Sequence, residues 1–192
     1  MIKPLALLIV SPLLLSCSQS LESYSDNKPK LDLKAFFQGS LSAHGIVQDY
    51  SGQVVRTFSA EIVASWRGNQ GILDEKFYFN DGEIQYRCWQ IDKNGNAYTG
   101  TASDVKGTAK GRVEGNVLNW QYHLEVNTDS GVRTLYLNDW LYQIDDSTLI
   151  NKTDMSFYGI DVAELTLSIS KRPEKKYTTR KNCNLPTQLV KN

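Results

Sequence analysis

Apolar and polar residues alternate along most of this chain, most clearly in Phe58, Ala60, Ile62, Ala64, Trp66 and in Leu118, Trp120, Tyr122, Leu124, Val126. A spacing of two puts these side chains on one face of an extended strand and their neighbours on the other, which is half-buried β-strand patterning. Turn pairs punctuate the runs: Ser51-Gly52, Gly68-Asn69, Asp81-Gly82, Asn94-Gly95, Lys106-Gly107, Gly115-Asn116, Ser130-Gly131, Asp145-Asp146 and Tyr158-Gly159. Such pairs favour the tight turns that join antiparallel strands. About ten strand-like runs lie between them, starting near Phe36, Val54, Ile72, Glu83, Ala97, Thr108, Val117, Val132, Thr148 and Ile160, and no segment carries a helical stripe. Ten hairpin-linked strands leave two open edges unless the sheet closes, so the pattern predicts an all-β, single antiparallel up-and-down meander closed into a barrel. A β-sandwich is the alternative.

The two ends of the chain break this pattern. The start carries Lys3, an apolar run from Leu5 to Leu15 interrupted by Ser11 and Pro12, and then Ser16-Cys17. The run is far shorter than the ~20 residues a membrane-crossing helix needs, which fits an export signal. Two leucines and a small residue before Cys17 resemble the site at which bacterial lipoproteins are acylated and cut. The expected division is therefore a signal over 1–16, a lipidated Cys17 with a flexible polar tether over 17–34, a barrel domain over 35–172 and a basic tail over 173–192. Ser18, where an Asp would resemble an inner-membrane retention signal, points to an outer-membrane address facing the periplasm.

Removing residues 1–16 leaves 176 of the 192 residues, enough for one domain with its own core. Because the signal holds Lys3 and no acid, the remainder has 20 basic and 21 acidic residues, and this balance gives no reason to expect nucleic acid. From Lys171 onward the bases Lys171, Arg172, Lys175, Lys176, Arg180, Lys181 and Lys191 face Glu174 alone. A solvated tail and a contact with anionic headgroups are both open readings of that run. Besides Cys17 there are two cysteines, Cys88 in a strand-like run and Cys183 in the tail. In an oxidising compartment they are expected to pair and pin the tail to the body, and two buried thiols are the alternative.

Candidate chemistry is sparse. The two histidines, His44 and His123, have no third partner at metal-ligand spacing, so neither a metal nor a cofactor is expected. Nucleophile-elbow and phosphate-loop motifs are missing from the sequence. Two carboxylate clusters stand out, Asp74 with Glu75 and Asp139 with Asp145 and Asp146. Paired carboxylates can do acid and base work. Turn chemistry accounts for Asp145 and Asp146, surface charge is the reading for the others, and the chain is expected not to be an enzyme.

A small closed barrel can enclose a ligand, as lipocalins do. Candidates for lining such a cavity are Trp66, Trp89, Trp120, Tyr122 and Trp140, with plain core packing as the alternative for each. Arg87 shares a strand face with Trp89 and Ile91, and an inward arginine commonly holds a carboxylate or phosphate head. Arg112 is the second such candidate. Pairing with an acid on a neighbouring strand is the alternative for both.

The phrases Gly45-Ile-Val-Gln-Asp49, Ser51-Gly-Gln-Val54, Leu73-Asp-Glu75, Asp81-Gly-Glu83, Tyr98-Thr-Gly100, Gly115-Asn-Val-Leu-Asn-Trp120, Asp139-Trp-Leu-Tyr142 and Thr148-Leu-Ile-Asn-Lys152 occur in this order. Together they resemble the proteobacterial lipoprotein family catalogued as domain of unknown function 3833, over about Ala35 to Lys171. The resemblance implies a lipid anchor and a single lipocalin-like, calycin-type domain. It supplies no settled activity, and the tendency of members to be encoded near lipid-modifying enzymes of the cyclopropane-fatty-acid type implies a lipid-related role. Cys88 and the segment bearing Cys183 depart from the family pattern. The expectation is a monomeric, lipid-anchored barrel that binds or carries a lipid or small amphipathic molecule, with a filled envelope scaffold or a lipid-modifying enzyme as alternatives.

Overall fold

A computed structural model describes residues 19–128, 130–171 and 176–183. The expected signal segment, Cys17 and residues 172–175 and 184–192 of the basic end lie outside the described residues.

Ten antiparallel strands form one closed barrel: β1 (Gly39–Asp49), β2 (Val54–Arg67), β3 (Gln70–Phe79), β4 (Ile84–Asn94), β5 (Ala97–Thr101), β6 (Val105–Glu114), β7 (Val117–Thr128), β8 (Gly131–Gln143), β9 (Thr148–Phe157) and β10 (Ile160–Lys171). Each pairs with its neighbours in the chain, and β10 closes the sheet onto β1 from Leu41 opposite Lys171 to Asp49 opposite Ala163. Closure leaves no free edge and removes the sandwich alternative. Alternation decides which side chains point inward. On β2 the inward buried series is Phe58, Ala60, Ile62 and Ala64, and on β7 it is Leu118, Trp120, Tyr122 and Leu124.

The first strand-like run begins differently from expectation. Phe36 belongs to a single helical turn, α1 (Leu33–Phe36), because the Asp32 carboxylate accepts from the backbone N–H groups of Lys34 and Ala35 and caps it. Leu31, Leu33, Phe36 and Phe37 are buried and belong to the barrel core. They plug one end. The Trp66 indole N–H donates to the Phe37 carbonyl at 2.8 Å, Lys34 Nζ donates to the Gly68 carbonyl at 2.7 Å, and Lys93 pairs with Asp32 at 3.0 Å.

Two further segments lie on the outer wall. Residues 19–31, within the expected flexible tether, are packed against β6 to β8. The Tyr24 ring stands 6.3 Å from Trp140 and 5.9 Å from Tyr142, Glu22 pairs with Arg112, and the Leu31 N–H donates to the Gly115 carbonyl at 2.8 Å. Gly115 combines a φ of +55° with a position where a Cβ would fall 1.7 Å from the Tyr24 carbonyl oxygen, so both the turn and the contact exclude a side chain. On the opposite flank, residues 176–183 cross β1, β3 and β4. The Tyr177 N–H donates to Ser40 Oγ, Arg180 grips Asp74 through its backbone N–H and Nε, each at 2.6 Å, and Cys183 is bonded to Cys88 with Cα atoms 5.6 Å apart. The expected disulfide is present. This part of the tail is tied down, which the solvated reading does not allow.

Candidate functional site

The plugged end and the inward side chains enclose a cavity of about 540 Å³ whose lining runs from Leu33 and Phe37 at the plug to Arg56, Glu83 and Tyr86 at the other end. That end is the one bearing the β1–β2 and β3–β4 turns. Its turns and strand starts carry most of the exposed large apolar side chains, including Tyr50, Val55, Ile84, Val132, Tyr158 and Ile160. A volume of this size matches a small-molecule site.

The wall is largely aromatic. Trp89 meets Trp120 and Tyr122 edge to face, with centroids 5.7 Å and 5.3 Å apart, and Phe58 meets Phe77 at 5.8 Å. Room for the Trp120 indole comes from glycine on the inner faces of β5 and β6. A Cβ at Gly100 would lie 2.9 Å from the ring, and one at Gly111 2.5 Å from it.

A polar belt crosses this wall. Glu75 lies opposite Arg87 across β3 and β4, and Asp139 lies between Trp120 and Thr153 across β7, β8 and β9. Asp104, in the β5–β6 turn, takes the Arg87 guanidinium: Nη2 is 2.8 Å from Oδ2, and Nε lies 3.1 Å from Oδ1 and 2.9 Å from Oδ2. Burial works against the Arg87 charge, and the acidic groups around it, with Tyr122, Asp104 and Glu75 among them, more than restore it. Burial pushes Glu75 up to about 7 despite Arg87, with Asp104, Asp139 and Asp74 adding to the rise. It pushes Asp139 up to about 7 as well, against the opposing pull of Thr153, Arg87 and Tyr122. Burial also raises Tyr122 well above its usual range. Asn151 donates to Thr153 Oγ1 at 3.1 Å. Asp139 Oδ1 and Asn151 Oδ1 are buried acceptors with no hydrogen-bond partner.

Of the residues singled out from sequence, Arg87, Trp89, Trp120 and Tyr122 meet in the cavity lining. Trp66 instead locks the plug, Trp140 faces outward under Tyr24, and Arg112 sits on the outside with Glu114 and Glu22. Surface charge does not describe Asp74, Glu75 and Asp139. Asp139 is 7% exposed inside the barrel, Glu75 lines the cavity, and Asp74 is buried beneath Arg180. Asp145 does serve its turn, accepting from the Ser147 N–H at 2.7 Å. Alternation carried the missing signal: Glu75 continues the inward series of Leu73 and Phe77, and Asp139 that of Leu137 and Leu141. Asp104 lies in a turn and gave no such signal. Among the described residues no group of three or more candidate ligands is placed to hold a metal ion.

The family model described as protein of unknown function (DUF3833) matches residues 11–171. No curated protein matches the chain. Among solved structures, the S-type phycobiliprotein lyase CPES from Guillardia theta is similar with a TM-score of 0.55 at 8% identity, over 82% of this chain and 100% of that one. The ywiB protein from Bacillus subtilis is matched at a TM-score of 0.35 and 12% identity, over 68% of this chain and 89% of that one. The first likeness shows the calycin-type fold, and it corrects one expectation. A barrel of this build serves as a lyase there, so the reading of this chain as not an enzyme is withdrawn.

Proposed function

The chain belongs to the DUF3833 family, and we propose that its barrel binds a small amphipathic molecule, such as a lipid, in a bacterial envelope. The observation that carries this reading is the cavity of about 540 Å³, in which an aromatic wall meets a belt of buried polar groups. A barrel made only for packing has no use for such a belt, because each buried polar atom without a partner costs roughly 1–3 kcal/mol. The apolar body of the ligand lies along Trp89, Trp120, Tyr122 and Phe77, and its polar end reaches Glu75 and Asp139. Lipid on Cys17 holds the barrel at the membrane, a proposal supported by the charged start, the short apolar run and the Ser16-Cys17 step.

One measurement tests both halves. Intact mass of the full chain made in a bacterial host is expected to show a covalent acyl mass on a polypeptide beginning at Cys17, which survives organic extraction. Native conditions are expected to show a second, discrete mass that extraction removes. An unmodified chain removes the anchor, and identical native masses before and after extraction count against the ligand.

A second reading has its own observation. Two carboxyls and an arginine converge around an open pocket, which is the arrangement expected of acid–base chemistry on a bound lipid. Turnover of a bound lipid by wild-type protein, lost in Glu75→Gln, supports it, and recovery of the lipid unchanged removes it.

A further inference from the structure

The chemistry of the cavity narrows the class of molecule it takes, an inference that rests on reading the barrel as a ligand chamber. An inward arginine ordinarily announces an anionic head, but here the guanidinium is already engaged. Asp104 occupies Nε and Nη2 of Arg87, and the pair is close to charge-balanced. What remains to meet a ligand is acceptor-rich. Asp139 and Asn151 are 7% and 6% exposed, both line the cavity, and each has an oxygen with no hydrogen-bond partner. Glu75 lines the same cavity from the opposite strands. Toward the mouth, Arg56 is engaged by Asp81 and Glu83, and Glu125 adds another acid to the lining.

We propose that the chamber selects amphiphiles whose polar end is a protonated amine or comparable N–H donor, seated between Glu75 and Asp139 with Asn151 Oδ1 as a further acceptor. A buried acceptor left without a partner is costly, and a donor head supplies the missing bond. A carboxylate or phosphate head brings acceptors to acceptors and negative charge to carboxyls, and the charge of the arginine that would offset this is already balanced by Asp104. The same belt makes selection depend on pH. The groups facing the seat are Glu75 on β3, Arg87 on β4, Asp104 before β6, Tyr122 on β7 and Asp139 on β8. Of these, Glu75 and Asp139 change charge near neutrality, so the seat gains negative charge as the pH rises through about 7.

The test uses the purified full chain and three probes of equal length: dodecylammonium, dodecanol and dodecanoate. Each competes at pH 7.5 against the neutral dye N-phenyl-1-naphthylamine. Dodecylammonium is expected to bind about tenfold or more tighter than dodecanoate, with dodecanol between them. The ratio narrows at pH 5.5 and falls toward one in Glu75→Gln/Asp139→Asn, whose own affinity for the dye is measured first so that the competition is read relative to it. Equal or tighter binding of dodecanoate overturns the proposal, as does an undiminished ratio in the double variant. The wild-type pH series carries the test alone should that variant not fold. Exclusion of the dye from the wild type removes the chamber reading itself, whereas dye binding without discrimination among heads removes only the donor-head assignment.

Discussion

Loss of the Cys88–Cys183 bond is expected to lower the stability of the barrel by about 4 kcal/mol, the largest single effect anticipated here. The bond closes a loop spanning 95 residues, so in the unfolded chain it removes a large number of open conformations. In the folded chain it holds residues 176–183 across β4, and with them the Arg180 grip on Asp74. Once the bond is gone, Asp74 becomes a carboxylate buried against the wall with its guanidinium partner on a free-moving segment. Urea unfolding of the wild type and of Cys88→Ser/Cys183→Ser, each with and without reductant, measures the effect. The double variant is expected to match reduced wild type and to be insensitive to reductant. A difference of less than about 1 kcal/mol between oxidised and reduced wild type refutes this role for the bond.

The second large effect is on the pH dependence of folding. Glu75 and Asp139 have pKa values near 7 in the folded chain, above the usual carboxylate range they adopt when unfolded. A raised pKa means that the folded state holds the proton more tightly. Stability is therefore highest below about pH 4 to 5 as far as these groups are concerned, falls as the pH rises toward 7, and levels off above it. Asp139 alone accounts for a fall of about 3 kcal/mol, and Glu75, which opens onto the cavity, for less. Asp81, held low by Arg56, and Asp145, held low by the Ser147 N–H and hydroxyl, act in the opposite sense and lose their contribution as the pH drops through 4. Together these trends place the maximum near pH 5. Asp139→Asn keeps the shape of the side chain without its charge, and is expected to gain about 2 to 3 kcal/mol at pH 8 while changing little at pH 5. Chemical unfolding at the two pH values reads this directly. A flat profile from pH 5 to 8 in the wild type contradicts the assignment of Asp139 as a buried carboxyl.

These two effects have a common meaning. At neutral pH the interior carboxyls cost stability, and apolar side chains of similar size would fill the same places without that cost. Charges retained at a cost in a cavity mark the place where the fold serves something other than its own stability.

The architecture was legible because each strand carries its own period-two pattern and most turns carry a glycine or an acid. The inward series Phe58, Ala60, Ile62, Ala64 and the turn at Asp81-Gly82 together gave β2, β3 and β4 with little ambiguity. The plug was not legible. Leu31, Leu33, Phe36 and Phe37 lie partly within a stretch whose average composition is polar, and four apolar residues near a capping Asp32 have no period from which to infer where they dock. The N-terminal cover was hidden in the same way, since Tyr24 gains a place only because Gly115 leaves one. For the site, the register of β4 places Arg87 on one face with Trp89, leaving an outward Arg87 open, and both residues line the cavity. The same rule applied to Leu137, Asp139 and Leu141 would have turned Asp139 inward too. Inside a barrel, register and not acidity decides which way a side chain points. Asp104 was beyond reach, because the partner of an inward arginine sits in a turn whose place above the cavity depends on closure of the whole sheet.

A barrel interior that is a ligand chamber takes up a small apolar dye, and titration with N-phenyl-1-naphthylamine reads this. Trp89 and Trp120 line the cavity, so their emission reports on anything that enters. The wild type is expected to bind one dye per chain, saturably, with quenching of the tryptophan emission. Leu137→Trp, which places an indole in the cavity at a buried lining position, is expected to stay folded by circular dichroism and to lose that binding. Absence of saturable binding in the wild type, or binding unchanged in Leu137→Trp, means that the interior is not a ligand chamber.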